Sequence, residues 1–230
     1  MKWRGVCVTA AGLIFLSGLA FGQEQAAKGT GATAVEVQTQ DKAEVALKTG
    51  ILAGTVDESF IQKNPAIVYI EKAEGAFKPQ TAEMGQIKLT FAPHLLPVVV
   101  GSTVVFQNSD DVNHNIFSPD NEKYNLGSFG KGKSASHTFK EPGVYTQLCN
   151  VHPEMEAYVV VLQNPYFAVV TKENEGKFEL KDVPPGNYTL KIWGDKLKKK
   201  DLKIETSVKV EKGERSVVRI AAAESKPKSK

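Results

Sequence analysis

The sequence predicts an all-β protein built from sandwiches of short antiparallel strands. Between residues 49 and 222 the chain consists of short runs that alternate in polarity or are rich in β-branched residues, among them AIVYIEK, GVYTQLC, AYVVVLQ and NYTLKIW. Turn residues separate these runs, as in EPG at 141–143 and VPPGNY at 183–188. In such turns Pro fixes φ and Gly takes the conformation that other residues avoid. This spacing is typical of antiparallel sandwiches and not of alternating strands and helices.

The first 22 residues have the three parts of a secretory signal peptide. Lys2 and Arg4 precede a mostly apolar run from Val6 to Ala20, and small residues surround a predicted cleavage point after Gly22. The apolar run is short for a membrane span, so we expect cleavage and not retention as an anchor. No later stretch is apolar for long enough to cross a bilayer. We therefore expect a soluble protein exported to the periplasm or the medium.

Composition and charge limit the classes of partner. The chain has 29 basic and 26 acidic residues, and loss of the signal peptide would leave 27 and 26, a formal charge of +1. Such a balance argues against a general nucleic-acid binder.

The two ends of the mature chain have the composition of unstructured segments. Residues 23–48 are rich in Ala, Gln, Thr and Lys, which predicts a flexible linker with a short helix at most near 41–48. Residues 223–230 predict a disordered tail.

The mature chain would keep a single cysteine. Cys7 lies in the signal peptide, so Cys149 would remain alone and could form no internal disulfide. Cys149 begins the segment CNVHPEM, which also holds His152 and Met155 and lies between two predicted strands. Two sulfur ligands and one imidazole on a tight loop suit copper.

A trigonal copper site needs a second imidazole from elsewhere in the sandwich. His114 follows the strand GSTVVFQN and lies in a polar turn, NSDDVNHN. Together His114, Cys149 and His152, with a weak axial Met155, form a complete ligand set for one type 1 copper ion. The thiolate is the form of cysteine that binds the metal, and metal binding drives the deprotonation.

Residues 75–163 resemble a cupredoxin, the family of plastocyanin, pseudoazurin and amicyanin. The resemblance is carried by FAPHLLPVVVGSTVVFQNSD, HNIF, FKEPGVYTQLCNVHPEM and AYVVVL in this order, and the Cys-x-x-His-x-x-Met spacing is that of amicyanin. It implies a Greek-key β-sandwich in which the same four residues bind copper. It also implies that Asn115 helps to fix the ligand loop, that Pro153 supports the site, and that His152 is the partly exposed edge through which electrons pass.

Some residues near the predicted site remain open to more than one interpretation. Glu154 and Glu156 flank Met155, and a carboxylate could compete for the axial position. His94 and His137 have no ligand companions, and we predict no metal role for either; His137 is expected to face water. The basic run DKLKKKDLK at 195–203 predicts a solvated hairpin edge or, alternatively, a docking site for an acidic partner.

The segments on both sides of residues 75–163 resemble a carboxypeptidase-regulatory-like, transthyretin-type β-sandwich. GILAGTVDE and AIVYIEK look like its first strands, and AVVTKENEGKFELKDVPPGNYTLKIW looks like its later strands. We therefore expect one smaller sandwich from 49–74 and 164–222, interrupted by the cupredoxin. An N-terminal extension followed by an independent C-terminal domain is the alternative, but insertion at a surface turn is well tolerated.

The cupredoxin resemblance implies an exported single-electron carrier that meets a redox partner protein. A copper enzyme is not expected, because Leu148 and Asn150 flank Cys149 where a multicopper oxidase needs histidines, and the chain has only four histidines. The loop also lacks the second cysteine of a binuclear copper site. The alternative function is single-site copper handling without electron transfer; storage at several sites is disfavoured by a total of three methionines.

Overall fold

A computed structural model describes residues 48–222, and almost all of the regular structure there is β. The predicted signal peptide, residues 23–47 of the predicted linker and the tail at 223–230 lie outside the described residues. The strands are β1 (Gly50–Val56), β2 (Ala66–Ile70), β3 (Thr81–Ile87), β4 (Thr90–Ala92), β5 (Leu95–Val99), β6 (Thr103–Asn108), β7 (His114–Ser118), β8 (Tyr124–Phe129), β9 (Ser134–Thr138), β10 (Gly143–Leu148), β11 (Glu156–Leu162), β12 (Phe167–Val170), β13 (Lys177–Val183), β14 (Gly186–Trp193), β15 (Glu205–Val210) and β16 (Arg215–Ile220).

Strands β3 to β11 form two sheets that we call the inner sandwich. One sheet has the order β5-β11-β10-β7-β8 and the other β4-β3-β6-β9. Alternating side chains from both sheets fill the space between them, including Met84, Phe106, Ile116 and Tyr145, all of which are fully buried. The prediction of an all-β sandwich is confirmed for this part of the chain.

The remaining strands form two further sheets that we call the outer sandwich. Their orders are β13-β1-β16 and β12-β2-β14-β15, so the first two strands of the described chain pair with strands that follow the inner sandwich in sequence. A second apolar core lies between these sheets and contains Leu52, Val68, Leu190 and Ile220. The prediction of a second β-sandwich is therefore confirmed.

The sequence predicts antiparallel strand pairs, but some pairs in the structure are parallel. Within residues 48–222 the pairs β1–β16, β3–β6 and β5–β11 are parallel. Each of these pairs joins strands that are separated by other elements in sequence, which is how a chain that crosses between two sheets produces parallel neighbours. Turn signals reveal hairpins but do not reveal such long-range pairs.

The segment GQIKLTF at 85–91 has the length and composition of a single strand, but it contains the end of β3 and the start of β4. β3 and β4 form a hairpin in which Ile87 pairs with Thr90, and the two turn residues, Lys88 and Leu89, have φ values of 54° and 58°. Such a turn favours Gly or Asn, and neither is present to signal it in the sequence. The carboxylate of Asp110 accepts hydrogen bonds from both turn N–H groups, at 2.6 and 2.9 Å, and so stabilises the turn from a distant part of the chain.

The two sandwiches pack against each other through the outer face of β11. Val160 and Leu162 on this face form a small buried cluster with Ile67 of the outer sandwich. Tyr158 contacts Trp193 edge to face at a centroid distance of 5.3 Å, which places this tryptophan at the junction between the sandwiches. β11 therefore serves both cores, and its first residue follows directly on the predicted copper loop at 149–155.

Candidate metal centre

His114 is the first residue of β7, and its ring is completely buried. Its Nε2 lies 2.9 Å from a carboxylate oxygen of Asp110, four residues earlier. This contact assigns the ring proton to Nε2 as the donor, because a carboxylate can only accept. Nδ1 is thereby left without a proton and available as a metal ligand, an arrangement in which the outer carboxylate fixes both the tautomer and the orientation of the ring.

The pKa of Asp110 is shifted downwards in this environment. Desolvation alone would raise the pKa of this carboxyl, but hydrogen bonds from the Leu89 N–H, the His114 ring and the Lys88 N–H together lower it. Asp110 therefore remains ionised and acts purely as an acceptor. Asp110 thus stabilises the turn at Lys88–Leu89 and also orients the ring of His114.

The turn between β6 and His114 is organised by Asn108, which is fully buried. Its side-chain NH₂ donates to the carbonyls of Val112 and Phe129, at 2.8 and 2.9 Å, and its oxygen accepts from the N–H of Asp110 at 2.8 Å. These bonds satisfy the amide completely and hold Asp110 in the position from which it reaches His114. Sequence reasoning missed Asn108; an asparagine at an inward-facing position of a strand end was the signal available.

Cys149 follows the last residue of β10 and is a free, buried thiol that is 3% exposed. The backbone N–H of Asn115 donates to its Sγ at 3.4 Å. The side chain of Asn115 binds β8 instead of the ligand loop, donating to Asn125 Oδ1 and to the carbonyl of Gly127. The backbone N–H of Asn115 thus holds the sulfur next to the start of β7.

The loop at 149–155 buries its two ends, Cys149 and Met155, and exposes most of the residues between them. His152 is partly exposed, and the N–H of Met155 donates to its carbonyl at 3.0 Å. Met155 returns to the interior and is 1% exposed within the same apolar core as Cys149. The carboxylate-bearing neighbours of Met155, Glu154 and Glu156, are exposed.

The three predicted nitrogen and sulfur donors come together in one group. The Nδ1 atoms of His114 and His152 lie 3.1 Å apart, and these two atoms and Cys149 Sγ are all within 4.8 Å of one another. No other group of three His, Cys, Asp or Glu side chains with this proximity occurs among residues 48–222. A thiolate with two imidazoles on a largely buried site is a donor set that fits copper.

The other predicted site residues and histidines lie apart from this group. Pro153 is exposed and follows His152 in the loop. His94 contacts Asn64 and Asp195 at the junction between the sandwiches. His137 stacks on Tyr124 at a centroid distance of 3.9 Å, so the expectation that it faces water is wrong.

Comparisons with known proteins agree with this donor set. Residues 79–162 match the model of copper-binding proteins of the plastocyanin/azurin family. Residues 143–218 match domain II of polysaccharide lyase family 4, a different description from the carboxypeptidase-regulatory-like sandwich that the sequence resembles. No curated protein matches the chain.

Several solved structures are similar to the inner sandwich. A purple cupredoxin from Nitrosopumilus maritimus is 30% identical, with 35% of this chain and 98% of that chain covered and a TM-score of 0.33. Amicyanin from Paracoccus versutus is 26% identical, with 35% and 80% covered and a TM-score of 0.33. A copper-containing nitrite reductase from Thermus scotoductus SA-01 is 28% identical, with 40% and 25% covered and a TM-score of 0.34. Residues 79–162, with the donor group that they contain, form a cupredoxin domain of the plastocyanin/azurin family of copper-binding proteins.

Proposed function

We propose that this chain is an exported type 1 copper protein that carries single electrons and turns over no substrate. His114, Cys149 and His152 would hold one copper ion, with Met155 as the weak axial ligand. The observation that supports this most strongly is the group of three donors, two of them buried and anchored at strand ends and the third partly exposed. When bound, copper would supply a one-electron couple between Cu(I) and Cu(II).

The protein's own contribution is to hold the donors in place. Asp110 orients His114, the N–H of Asn115 supports the Cys149 sulfur, and pairing of Leu148 with Glu156 closes the loop that carries the other donors. Donors fixed by strands and by outer hydrogen bonds move little when the oxidation state changes, and a small rearrangement favours fast electron transfer.

Met155 is favoured over a glutamate as the axial ligand. Its side chain is buried in the same apolar core as Cys149, whereas Glu154 and Glu156 are exposed. Burial of an ionised carboxylate at the axial position would carry a desolvation cost that a thioether avoids.

Exposed apolar side chains lie on the segments that carry or support the donor group, which supports a role in contact with another protein. Ile87, Leu89, Val112 and Val151 are each between 40% and 50% exposed. Val151 precedes His152, and the hydrogen bonds to Asp110 described above connect the turn that carries Ile87 and Leu89 with the segment that carries Val112. Exposed apolar side chains collected in one area are typical of interaction surfaces.

Two other functions find less support. A copper enzyme with a second metal centre needs further histidines, and His94 and His137 are the two that remain, each paired with a single carboxylate and neither part of a group of three donors within residues 48–222. Copper handling requires the ion to be released to a partner. His114 and Cys149 are buried, and only His152 offers an exposed edge for such an exchange.

Export and the domain arrangement are parts of the same proposal. The predicted signal peptide lies outside the described residues, and no helix within 48–222 has the length and apolar character to span a bilayer. We also propose that 49–74 and 164–222 form one sandwich interrupted by a cupredoxin at 75–163. The pairing of β1 with β13 and of β2 with β12 and β14 supports this division.

A redox titration of the copper-loaded protein tests the electron-carrier function. We expect a reversible one-electron couple in which the oxidised and reduced spectra are recovered over repeated cycles. Met155→Leu should keep the copper and the couple but shift the potential, because the axial donor tunes it. Glu154→Gln serves as the control and should leave the potential unchanged. Copper that binds but cannot be cycled would leave copper handling as the function.

A further inference from the structure

The basic run noted in the sequence forms the loop between β14 and β15, which we call the lysine loop (residues 194–204). Its lysines at 196, 198, 199, 200 and 203 are all exposed. Apart from the contact between Lys196 and Asp195, none of these five forms an ion pair within residues 48–222. The charges of the other four lysines are therefore directed to solvent and remain available to a partner.

The backbone of the lysine loop is firmly anchored. Asp195, whose side chain is 2% exposed, accepts from Asn64 at 2.8 Å and lies 3.1 Å from Lys196 Nζ. At the other end of the loop Asp201 is buried in a single turn of 3-10 helix. Between them Leu197 packs on the core of the outer sandwich. The loop thus presents its lysines from a fixed position and not as a freely moving segment.

The lysine loop lies beside the copper end of the inner sandwich. Asp195 is 3.4 Å from Nε2 of His94, and the carbonyl of His94 accepts from the N–H of Tyr158 in β11. Lys196 also interacts electrostatically with Glu156, the residue that directly follows Met155. The outer sandwich therefore brings the Lys196 end of this lysine-rich loop next to Glu156, at the point where the copper loop ends.

We propose that the lysine loop is an electrostatic docking arm for a partner protein with an acidic surface around its redox centre. The proposal rests on the electron-carrier function, and it gives the outer sandwich a role in partner choice. The five lysines face Asp195 and Asp201 within the loop and Glu154 and Glu156 beside it, which leaves a formal local charge of +1; both aspartates are turned inwards, so the solvent-facing side of the loop itself is formed by lysines. Such a cluster accelerates the approach of an oppositely charged partner by roughly ten- to a thousandfold at low ionic strength.

Electron transfer to two small complexes of opposite charge tests this arm in the full-length, copper-loaded, reduced protein. One electron passes to hexacyanoferrate(III) or to tris(phenanthroline)cobalt(III), each complex is reduced by one unit, and no proton or ligand is transferred. In a variant with Lys196, Lys198, Lys199 and Lys200 all changed to Gln, we expect the rate with the anionic complex to fall about tenfold at low salt. The rate with the cationic complex should not fall.

The control variant changes four exposed lysines elsewhere on the outer sandwich to Gln, namely Lys172, Lys181, Lys209 and Lys212. It has the same net charge as the lysine-loop variant and should remain within about twofold of the wild-type rate, because screening limits distant charges. Equal losses in the two variants would mean that net charge alone acts, and would overturn the proposal. The same conclusion follows if neither variant changes the rate.

A redox-inert anion separates failure of the docking arm from failure of the proposed function. Hexacyanochromate(III) is paramagnetic and should broaden the amide resonances of 196–203 and 150–155 in the wild type but not in the lysine-loop variant. If neither complex accepts electrons while this broadening occurs, the electron-carrier function is wrong and the anionic docking site stands. Broadening elsewhere would overturn the docking arm, as would lysine-dependent binding to phosphatidylglycerol vesicles, which would assign the loop to a lipid surface.

Discussion

The copper loop at 149–155 and the lysine loop at 194–204 both connect neighbouring antiparallel strands, yet they use their side chains in opposite ways. The copper loop turns Cys149 and Met155 into the core and leaves one edge of His152 exposed. The lysine loop turns two aspartates inwards and all of its lysines outwards. The first loop reveals its chemistry through residue types alone, whereas the role of the second depends on where the fold places it.

The carboxylates beside the two loops extend this comparison. Asp110 accepts from His114, and Asp195 lies next to His94, so each pairs an aspartate with a histidine. Only His114 directs its second nitrogen at another imidazole and lies near a thiol. A carboxylate–histidine pair is therefore not a metal site by itself. The other ring nitrogen must also face further donors, as Nδ1 of His114 does.

The largest effect is expected at Asp110. We expect Asp110→Asn to weaken copper binding by roughly 10- to 100-fold, because loss of the charged outer partner frees the His114 ring and removes support for its tautomer. Competition with a chromophoric chelator would measure the change. The matched control is Asp111→Asn, since Asp111 is exposed and pairs only with Lys131 among the described residues. Equal affinities for the two variants would contradict the assigned role of Asp110.

A smaller effect, on stability alone, is expected at Asp195. Desolvation would raise the pKa of this carboxyl, but its contacts with Lys196, Asn64 and His94 outweigh that cost and lower it. Asp195→Asn should reduce the free energy of unfolding at neutral pH by about 1.5 kcal/mol, because hydrogen bonds to a charged group are lost. Chemical denaturation of the metal-free protein would measure it, and Asp182→Asn, at an exposed position, is the control.

The stability difference between the wild type and Asp195→Asn should depend on pH in a defined way. A carboxyl whose pKa is lowered by folding contributes stability above its unfolded pKa of about 3.9, and this contribution is lost as the pH falls through the folded value. The difference between wild type and Asp195→Asn should therefore be full at pH 6 to 7 and shrink below about pH 4. A difference that grows on acidification would show that the contacts of Asp195 do not favour its charged form.

The smallest effect is expected for a single lysine of the lysine loop. Lys199 is exposed and has no ion pair among residues 48–222, so Lys199→Gln should change the free energy of unfolding by less than about 0.5 kcal/mol. It should also leave copper affinity unchanged. A larger loss of stability in denaturant titrations would mean that this lysine supports the fold. It would contradict the assignment of the lysines of this loop to solvent.

The sequence predicted the β class, the second sandwich and the donors that the fold brings together. The first two predictions are confirmed, because alternation marks strands. The fold also brings His114, Cys149 and His152 together, whereas copper binding at these residues and the axial role of Met155 stay predictions. The hairpin of β3 and β4 was missed because its turn at Lys88–Leu89 depends on Asp110, more than twenty residues away. The stacking of His137 on Tyr124 was missed for the same reason, since it joins different strands.

The central claim is that Cys149, with His114 and His152, holds a type 1 copper ion, and optical and electron spin resonance spectra of the purified protein titrated with Cu(II) test it most directly. We predict an intense thiolate-to-copper absorption band and narrow copper hyperfine splitting at one equivalent of metal, both lost in Cys149→Ser. Met84→Leu, a change in the same core away from the copper loop, should keep both. A colourless complex, or a band that survives in Cys149→Ser, would contradict the account.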